Sequence, residues 1–463
     1  MSNNFLDNNS IDVILDELKR VYLNDNRPWI LGYSGGKDST TVLLLVFNML
    51  LSLPKEQRHK NVYVVSSDTL VENPIILEYL KKNINLINSS AKSNDINLSA
   101  HLVQPRINNT FWVNVIGRGF PTPKSKKFRW CTERLKIQPS NDFILETIEK
   151  SGEVVILLGV RKAESEARRQ RIEARKIDGY LLTPHETING AYVYNPIEDL
   201  TTDDVWNILL NYYKKTPWGT DNSELFKLYS DSDGGECPFV LTTRQSDKNI
   251  EIPSCGQTRF GCWICTVVQE DKSLNGFIKN GEEWLIPLAE FREWILNIRD
   301  NPEYREKHRR DGTVYKTKTG ETGFGPFTFK ARQEILRKLL ETQKEVGYEL
   351  ITIDELKEID KIWDEEEDLT RSILINLYKE VMETKLPWHD FKSPLYGDDV
   401  IDYIYKYANN YDIPEKLIKT LLIQTEKFKH YSNKNQYKTV IRKILNQKWL
   451  HQDLDEEIEY DSY

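Results

Sequence analysis

Long apolar runs are missing from this chain of 463 residues. The longest, residues 42–53, is interrupted by Asn48 and is too short to span a bilayer, so it reads as a buried helix. No basic stretch leads into an apolar one at the start, where MSNNFLDNNS is polar, and this argues against a secretory leader. An excess of positive charge is missing as well. The 63 Lys and Arg stand against 71 Asp and Glu, a formal net charge of −8. That argues against a uniformly basic coat for nucleic acid and leaves room for local basic patches. Cysteine is scarce and odd in number, five in all. Without an export signal, this predicts a reducing, cytoplasmic setting and metal or redox chemistry rather than a disulfide framework. Internal repeats are absent, and low complexity is confined to short acidic runs such as 364–368.

What is present fits a globular protein rather than a disordered one. Hydrophobic residues make up 39% and aromatics 11%, and the length predicts two to three domains. Strands are expected at 29–33, 61–69, 97–103, 153–160 and 192–197, with helical stretches between them. Pro74 is placed to open one helix, and Thr201 or Thr202 to cap another whose first turn is acidic. Strands alternating with helices imply an α/β fold, a parallel sheet with helices on both faces. Residues 231–265 are rich in Gly, Pro, Ser and Cys and read as loop; from about 274 the pattern is mainly helical. The expected division is 1–220, 221–275 and 276–463.

The chemistry begins where the first strand hands over to a helix, at Ser34-Gly35-Gly36-Lys37-Asp38-Ser39-Thr40. Two glycines let backbone approach phosphate oxygens, and a helix N-terminus presents free N–H groups with partial positive charge. Ser34, Ser39 and Thr40 add hydroxyl donors, Lys37 adds charge, and Asp38 can hold Mg²⁺ or cap the helix. This is not the Walker-A pattern, which has four residues between its glycines and Ser or Thr after the Lys. The plainer alternative is a Gly-Gly turn capped by Asp or Ser, but seven suitable positions in a strand-to-helix context favour phosphate.

These residues resemble the PP-loop of the adenine nucleotide α-hydrolase superfamily, which includes phosphoadenylyl-sulfate reductases, sulfurylases and tRNA-thiolating enzymes. The resemblance covers about 29–218. It implies a Rossmann-like domain that binds ATP, cleaves it between the α- and β-phosphates and holds the released pyrophosphate in the loop. Ser66 and Asp68, in SSDT at the end of the second strand, then match positions that contact adenine and ribose. Gly159, Arg161 and Arg168 fall in LGVRKAESEARR, which is similar to a family element whose arginines clamp phosphate or substrate. Asn195-Pro196-Ile197 and TDDVW, from Thr202, match a stretch taken as structural.

Cys255, Cys262 and Cys265 lie in CGQTRFGCWIC, with six residues between the first pair and two between the second. Two thiolates on one tight turn suit a tetrahedral metal centre, and three need a fourth ligand. Cys131, in KFRWCTERLK, is the choice, because Arg129, Arg134 and Lys136 offset negative charge and favour thiolate. Spacing does not separate zinc from a [4Fe–4S] cluster. Cys237 stands alone, and ordinary burial accounts for it as well as function does.

The cysteine string, FRWCTERLK upstream and SGGKDST at the start together resemble the DndC family, the sulfurtransferases of bacterial DNA phosphorothioation, over nearly the whole chain. That resemblance implies a [4Fe–4S] cluster on Cys131, Cys255, Cys262 and Cys265. It also implies DNA as acceptor, a cysteine desulfurase as sulfur donor and further subunits of a DNA-modification complex as partners. Lys37, Asp38, Arg161 and Arg168 become the catalytic candidates, offsetting phosphate charge, with no residue placed as general base. A tRNA-thiolating enzyme shares the loop and often a cluster. A sulfate-nucleotide reductase needs a late cysteine, and none follows Cys265. A nucleotide-binding scaffold with a structural zinc site is the non-enzymatic alternative. Between 118 and 136 the basic residues Arg118, Lys124, Lys126, Lys127, Arg129, Arg134 and Lys136 face a single acid, Glu133, with Phe128 and Trp130 among them. Such a stretch can track a phosphodiester backbone or form a solvated face. For 427–448 a solvated helix or subunit contact is the expectation.

Overall fold

The computed structural model describes residues 5–125, 129–177, 179–232, 260–310, 313–314, 323–429 and 434–446. Cys237, Cys255, Lys126, Lys127 and Phe128 lie outside the described residues. The chain forms two compact units: 1–105 with 129–285, and 106–128 with 286–463. The division expected from sequence had its last boundary near 275 and did not separate 106–128.

The first unit is built on a six-stranded sheet of order β3-β2-β1-β4-β6-β5. Its strands are β1 (Trp29–Gly32), β2 (Val62–Ser67), β3 (Leu98–Val103), β4 (Val154–Leu157), β5 (Thr183–Pro184) and β6 (Ala191–Tyr194). All neighbours from β3 to β6 are parallel, and only β5 runs antiparallel, at the edge. Apolar residues line both faces because both are covered. Trp29, Leu31, Val64 and Leu157 join one core cluster, while Ile30, Val65, Val154 and Ile156 join another. The chain runs outward through β1, β2 and β3, then returns to place β4 on the other side of β1. That reversal opens a crevice at the C-terminal ends of β1 and β4, where ligands bind in open α/β sheets.

Local chemistry sets the helices that flank this crevice. Lys37–Ser52 follows β1 directly with Gly36 at its N-cap, and its TVLLLVF stretch is buried throughout. Pro74–Ser93 starts at Pro74, where Asn73 accepts the Ile75 N–H at 3.1 Å. Thr201, rather than Thr202, caps Thr202–Asn207 in a reciprocal box with Asp204.

The second unit is helical. Helices Ile286–Arg299, Phe329–Val346, Ile353–Glu366 and Ile373–Met382 are followed by Asp398–Tyr411, Glu415–Phe428 and Lys434–Leu445. Residues 106–128 belong to it because FWVNVIG is apolar and buries there. Trp112 is fully buried and donates its indole N–H to the Leu350 carbonyl at 2.8 Å. No helix among the described residues is long and apolar enough to cross a membrane.

Candidate functional site

The loop after β1 is bent by Gly35, whose φ of +72° suits glycine. Ser39 Oγ closes the loop on itself, accepting the Ser34 N–H at 3.2 Å and donating to the Gly36 carbonyl at 3.1 Å. Ser34 Oγ lies 3.1 Å from Ser39 Oγ. The result is a rim of backbone N–H groups at the start of a long helix, which is an anion cradle.

Charge is arranged around Asp38. Lys37 Nζ lies 3.2 Å from Asp38 Oδ2, and Arg161 Nε lies 2.6 Å from Oδ1. Arg161 is 2% exposed and also reaches the Leu200 carbonyl and the Thr202 hydroxyl. Two buried cations thus share one carboxylate, a surplus of positive charge that an anionic ligand would balance. Gly159 makes this approach possible, since a Cβ there would lie 2.9 Å from the Asp38 carbonyl carbon and oxygen.

The other sequence candidates fall around this core. Ser66, next to last in β2, has its hydroxyl buried and unpartnered among the described residues, an atom that a ligand can satisfy. Asp68 is buried and committed, accepting the Leu70 N–H at 2.8 Å and the Gln104 side-chain amide at 2.9 Å. Arg168 stands further out. It pairs with Glu164 rather than with the loop and lines a separate cavity.

The described cysteines gather at the same sheet edge. Cys262 forms an antiparallel bridge with Glu72, just past the end of β2. The Asn73 N–H donates to the Gly261 carbonyl at 3.3 Å, and the Trp263 N–H to the Val71 carbonyl at 3.1 Å. The Cys265 N–H donates to the Cys262 carbonyl at 3.1 Å, which makes Cys262–Cys265 one tight turn. Thr69 Oγ1 lies 3.4 Å from Cys262 Sγ and donates to Glu72 at 3.0 Å. Cys131 comes in on Trp130–Thr132, close enough to feel the charge of Cys265. Lys136 reaches Glu72 at 2.9 Å. Burial alone would lower its ammonium, yet the Cys262 sulfur, Glu72 and the Cys131 sulfur raise it.

Burial acts on the thiols as well. It pushes Cys262 up to about 12, with Glu72 adding to the effect, and it raises Cys131 despite Arg129 nearby. The expectation that basic neighbours favour thiolate at Cys131 is corrected here, because desolvation outweighs them. Cys262 and Cys265 share one turn and Cys131 lies on a neighbouring helix, thiols of the kind that bind soft metals, while Cys255, assigned as fourth, lies outside the described residues. No three His, Cys, Asp or Glu side chains among the described residues stand at metal-holding distance.

Tyr229 connects the two halves of the site, and sequence reasoning missed it. Its hydroxyl accepts the Lys37 N–H at 3.2 Å, and its ring lies 5.3 Å from Lys37 Nζ. On the other side it packs on Phe260, two residues before Cys262, at 4.6 Å between ring centres. The only signal was an aromatic pair, Phe226 and Tyr229, on the helix Asn222–Ser232, which reads as core. The basic stretch 118–136 is divided between the units, and several of its charges are engaged internally. Lys124 pairs with Asp300 at 3.1 Å, and Arg118 donates to the Asn108 carbonyl.

Comparison with known proteins gives relatives, structural neighbours and a family. An uncharacterized protein of Methanocaldococcus jannaschii is 26% identical over 305 residues, covering 63% of this chain and 48% of the relative. The chain therefore spans about half the length of the curated relative it matches. Among solved structures, phosphoadenylyl-sulfate reductase from Candida auris, in a phosphate complex, is similar at 14% identity and a TM-score of 0.28. That match covers 48% of this chain and 86% of the other. The U34-tRNA thiolase NcsA from Methanococcus maripaludis, with its [4Fe-4S] cluster, is similar at 16% identity and a TM-score of 0.27, covering 52% and 82%. At such scores neither likeness bears on chemistry. The phosphoadenosine phosphosulfate reductase domain matches residues 28–268, just over half of the sequence, and the chain belongs to that family.

Proposed function

We propose that this chain is an ATP pyrophosphatase and sulfurtransferase that acts on the phosphodiester backbone of DNA. The family is one of sulfur-transferring or sulfur-reducing enzymes that use adenylyl nucleotides. The observation that supports the finer reading is the bonding of the Cys262–Cys265 turn to the end of β2. This puts sulfur ligands and an anion cradle on one sheet edge, linked through Phe260 and Tyr229.

In this reading the β- and γ-phosphates of ATP occupy the loop 34–40, where Lys37 and the helix N–H groups offset their charge. A nonbridging oxygen of the DNA phosphodiester attacks the α-phosphorus, the α–β bond breaks and pyrophosphate leaves. A phosphodiester is already ionised near neutral pH, so no general base is needed. Arg161 holds Asp38 in place for Mg²⁺ or for a nucleotide hydroxyl. Sulfur then arrives as a persulfide from a cysteine desulfurase and attacks the activated backbone phosphorus, displacing AMP. A second thiol cleaves the remaining S–S bond and supplies two electrons. A [4Fe–4S] cluster on Cys131, Cys255, Cys262 and Cys265 would supply sulfur-binding and redox chemistry when bound.

Two measurements test this reading. Protein purified without oxygen should carry about four irons per chain with a broad band near ~400 nm, and Cys131→Ser should bleach it. With ATP, the sulfur donor and DNA, pyrophosphate should be released and nuclease digests should contain phosphorothioate linkages by mass spectrometry. One zinc with no colour would remove the cluster, and pyrophosphate release driven by tRNA instead of DNA would move the enzyme to base thiolation.

A further inference from the structure

The segment leaving β4 divides its residues between two spaces. Gly159 and Arg161 serve the phosphate loop, whereas Leu158 and Val160 line a cavity of about 480 Å³ on the other side. That volume is in the range of small-ligand sites. The ends of β4 and β6 form its floor, and the helices Ile11–Leu23 and Glu166–Arg175 contribute walls.

Its chemistry is specific. Arg171 is exposed on the wall and has no ion-pair or hydrogen-bond partner among the described residues. Among the described residues Arg175 beside it is held by Glu186 alone, at 2.6 Å, an exposed pair that contributes little. The acids of the cavity are engaged. Glu17 accepts the Tyr194 hydroxyl at 2.7 Å, while Glu198 and Asp199 hold Lys162 at 3.1 and 2.6 Å. Glu17 also has Arg20 at 3.9 Å, and of the lining cations Arg168 pairs with Glu164 and Lys176 with Glu198, so Arg171 is the one without an acid among the described residues. The mouth is apolar and wet, with Tyr180 69% exposed and Val13 52% exposed. Inside, the Asn195 side-chain carbonyl is buried and accepts nothing among the described residues.

An occupant must bring an anion for Arg171, a flat apolar body for Tyr180 and an N–H donor for Asn195. Free phosphate lacks the second and third, and an acyl chain lacks the third. A nucleotide has all three. We propose that this cavity holds one nucleotide unit of the acceptor strand, its phosphate on Arg171 and Arg175, its base against Tyr180 and a base N–H on Asn195. The proposal rests on the nucleic-acid reading of the function and deepens it. The 158–161 segment then carries both partners of the reaction on alternate residues, the nucleotide loop on one side and the acceptor on the other.

Fluorescence anisotropy of the full chain with a short fluorescein-labelled single-stranded DNA, and with RNA of the same sequence, tests it. Arg171→Ala should weaken DNA binding about tenfold and lower the salt slope by about one, and Arg171→Lys should restore the slope. Tyr180→Ala should weaken binding about tenfold and leave the slope unchanged. A fluorescent ATP analogue should bind all three variants as it binds the parent protein. Equal oligonucleotide affinity in the Arg171→Ala/Tyr180→Ala double variant, or no oligonucleotide binding by the parent, overturns the cavity assignment. DNA-dependent pyrophosphate release alongside that first result leaves the functional reading standing. Binding of RNA alone, lost on Arg171→Ala, keeps the cavity and removes DNA as the acceptor.

Discussion

The two units each bury a small charge cluster, and the clusters are opposite in sign. In the first, Lys37 and Arg161 share the single carboxylate of Asp38, at 3.2 and 2.6 Å. In the second, Asp360 and Asp364 share the single ammonium of Lys392, at 2.6 and 2.8 Å. A surplus of buried cation can be relieved by an anion, which brings oxygen lone pairs to the N–H groups already aimed at it. A surplus of buried carboxylate is relieved most simply by a proton. Accordingly burial raises Asp360 and pushes Asp364 up to about 6, against the pull of Lys392. Glu355, on the same helix, is pushed by burial up to about 7. The first cluster thus favours an anion beside it, and the second favours a proton.

Substitutions can break that contrast, and the largest effect is expected in the loop. Lys37→Ala should lower pyrophosphate release by about 10²–10³-fold with the denaturation midpoint little changed, because the charge acts on the reacting phosphates. A loss below tenfold would assign the cradle to backbone alone. Arg161→Met removes one member of a buried pair and should destabilise the first unit by about 3 kcal/mol in urea denaturation. A cost under about 1 kcal/mol would mean that Lys37 alone holds Asp38.

In the second unit the expected effect depends on pH. Glu355 binds its proton more tightly folded, at about 7, than at its ordinary 4.5. Its stabilising contribution is therefore full below about pH 4.5 and is lost as the pH rises through about 7. Glu355→Gln keeps an acceptor for the Thr352 N–H, now met at 3.0 Å. It should stabilise the unit by roughly 2–3 kcal/mol at pH 8 and by little near pH 4.5. No gain at pH 8 would show that the carboxyl is solvated rather than buried. The smallest effect belongs to Tyr229→Phe. It frees the Lys37 N–H from a hydroxyl that stands where a phosphate oxygen can, so calorimetry should show pyrophosphate binding about two- to tenfold tighter. Weaker binding would make that hydroxyl part of the cradle instead.

Much of the first unit was legible in sequence because strand, glycine turn and helix each leave a local signal. The expected strands begin within a residue of those observed, and β4 is shorter at its far end because Gly159 must lie against the loop. β5 was invisible, being two residues long and containing Pro184. SGGKDST forms the turn after β1, and Arg161, expected from sequence as a phosphate or substrate clamp, pairs there with Asp38. What sequence did not reveal depends on distant partners. Tyr229 gains its position only when the helix Asn222–Ser232 packs beside Lys37, 192 residues away in sequence. The burial that raises Cys131 and Cys262 is likewise a property of the folded surroundings, whereas the basic residues beside Cys131 are visible in sequence.

The split origin of the helical unit has a consequence for synthesis. The indole of Trp112 bonds the carbonyl of Leu350, the Ile116 carbonyl accepts from Trp363 at 3.0 Å, and the Gly117 carbonyl accepts from Arg332. The first two bonds bridge 238 and 247 residues of sequence. At ribosomal speeds, FWVNVIG waits roughly ten to fifty seconds before the residues that bury it exist. Within that interval the sheet unit, which ends at 285, is finished while the apolar stretch in its middle still lacks Leu350 and Trp363. Chaperone binding and cotranslational aggregation are therefore expected at this stretch, after the sheet unit has been made and before the helical one is complete.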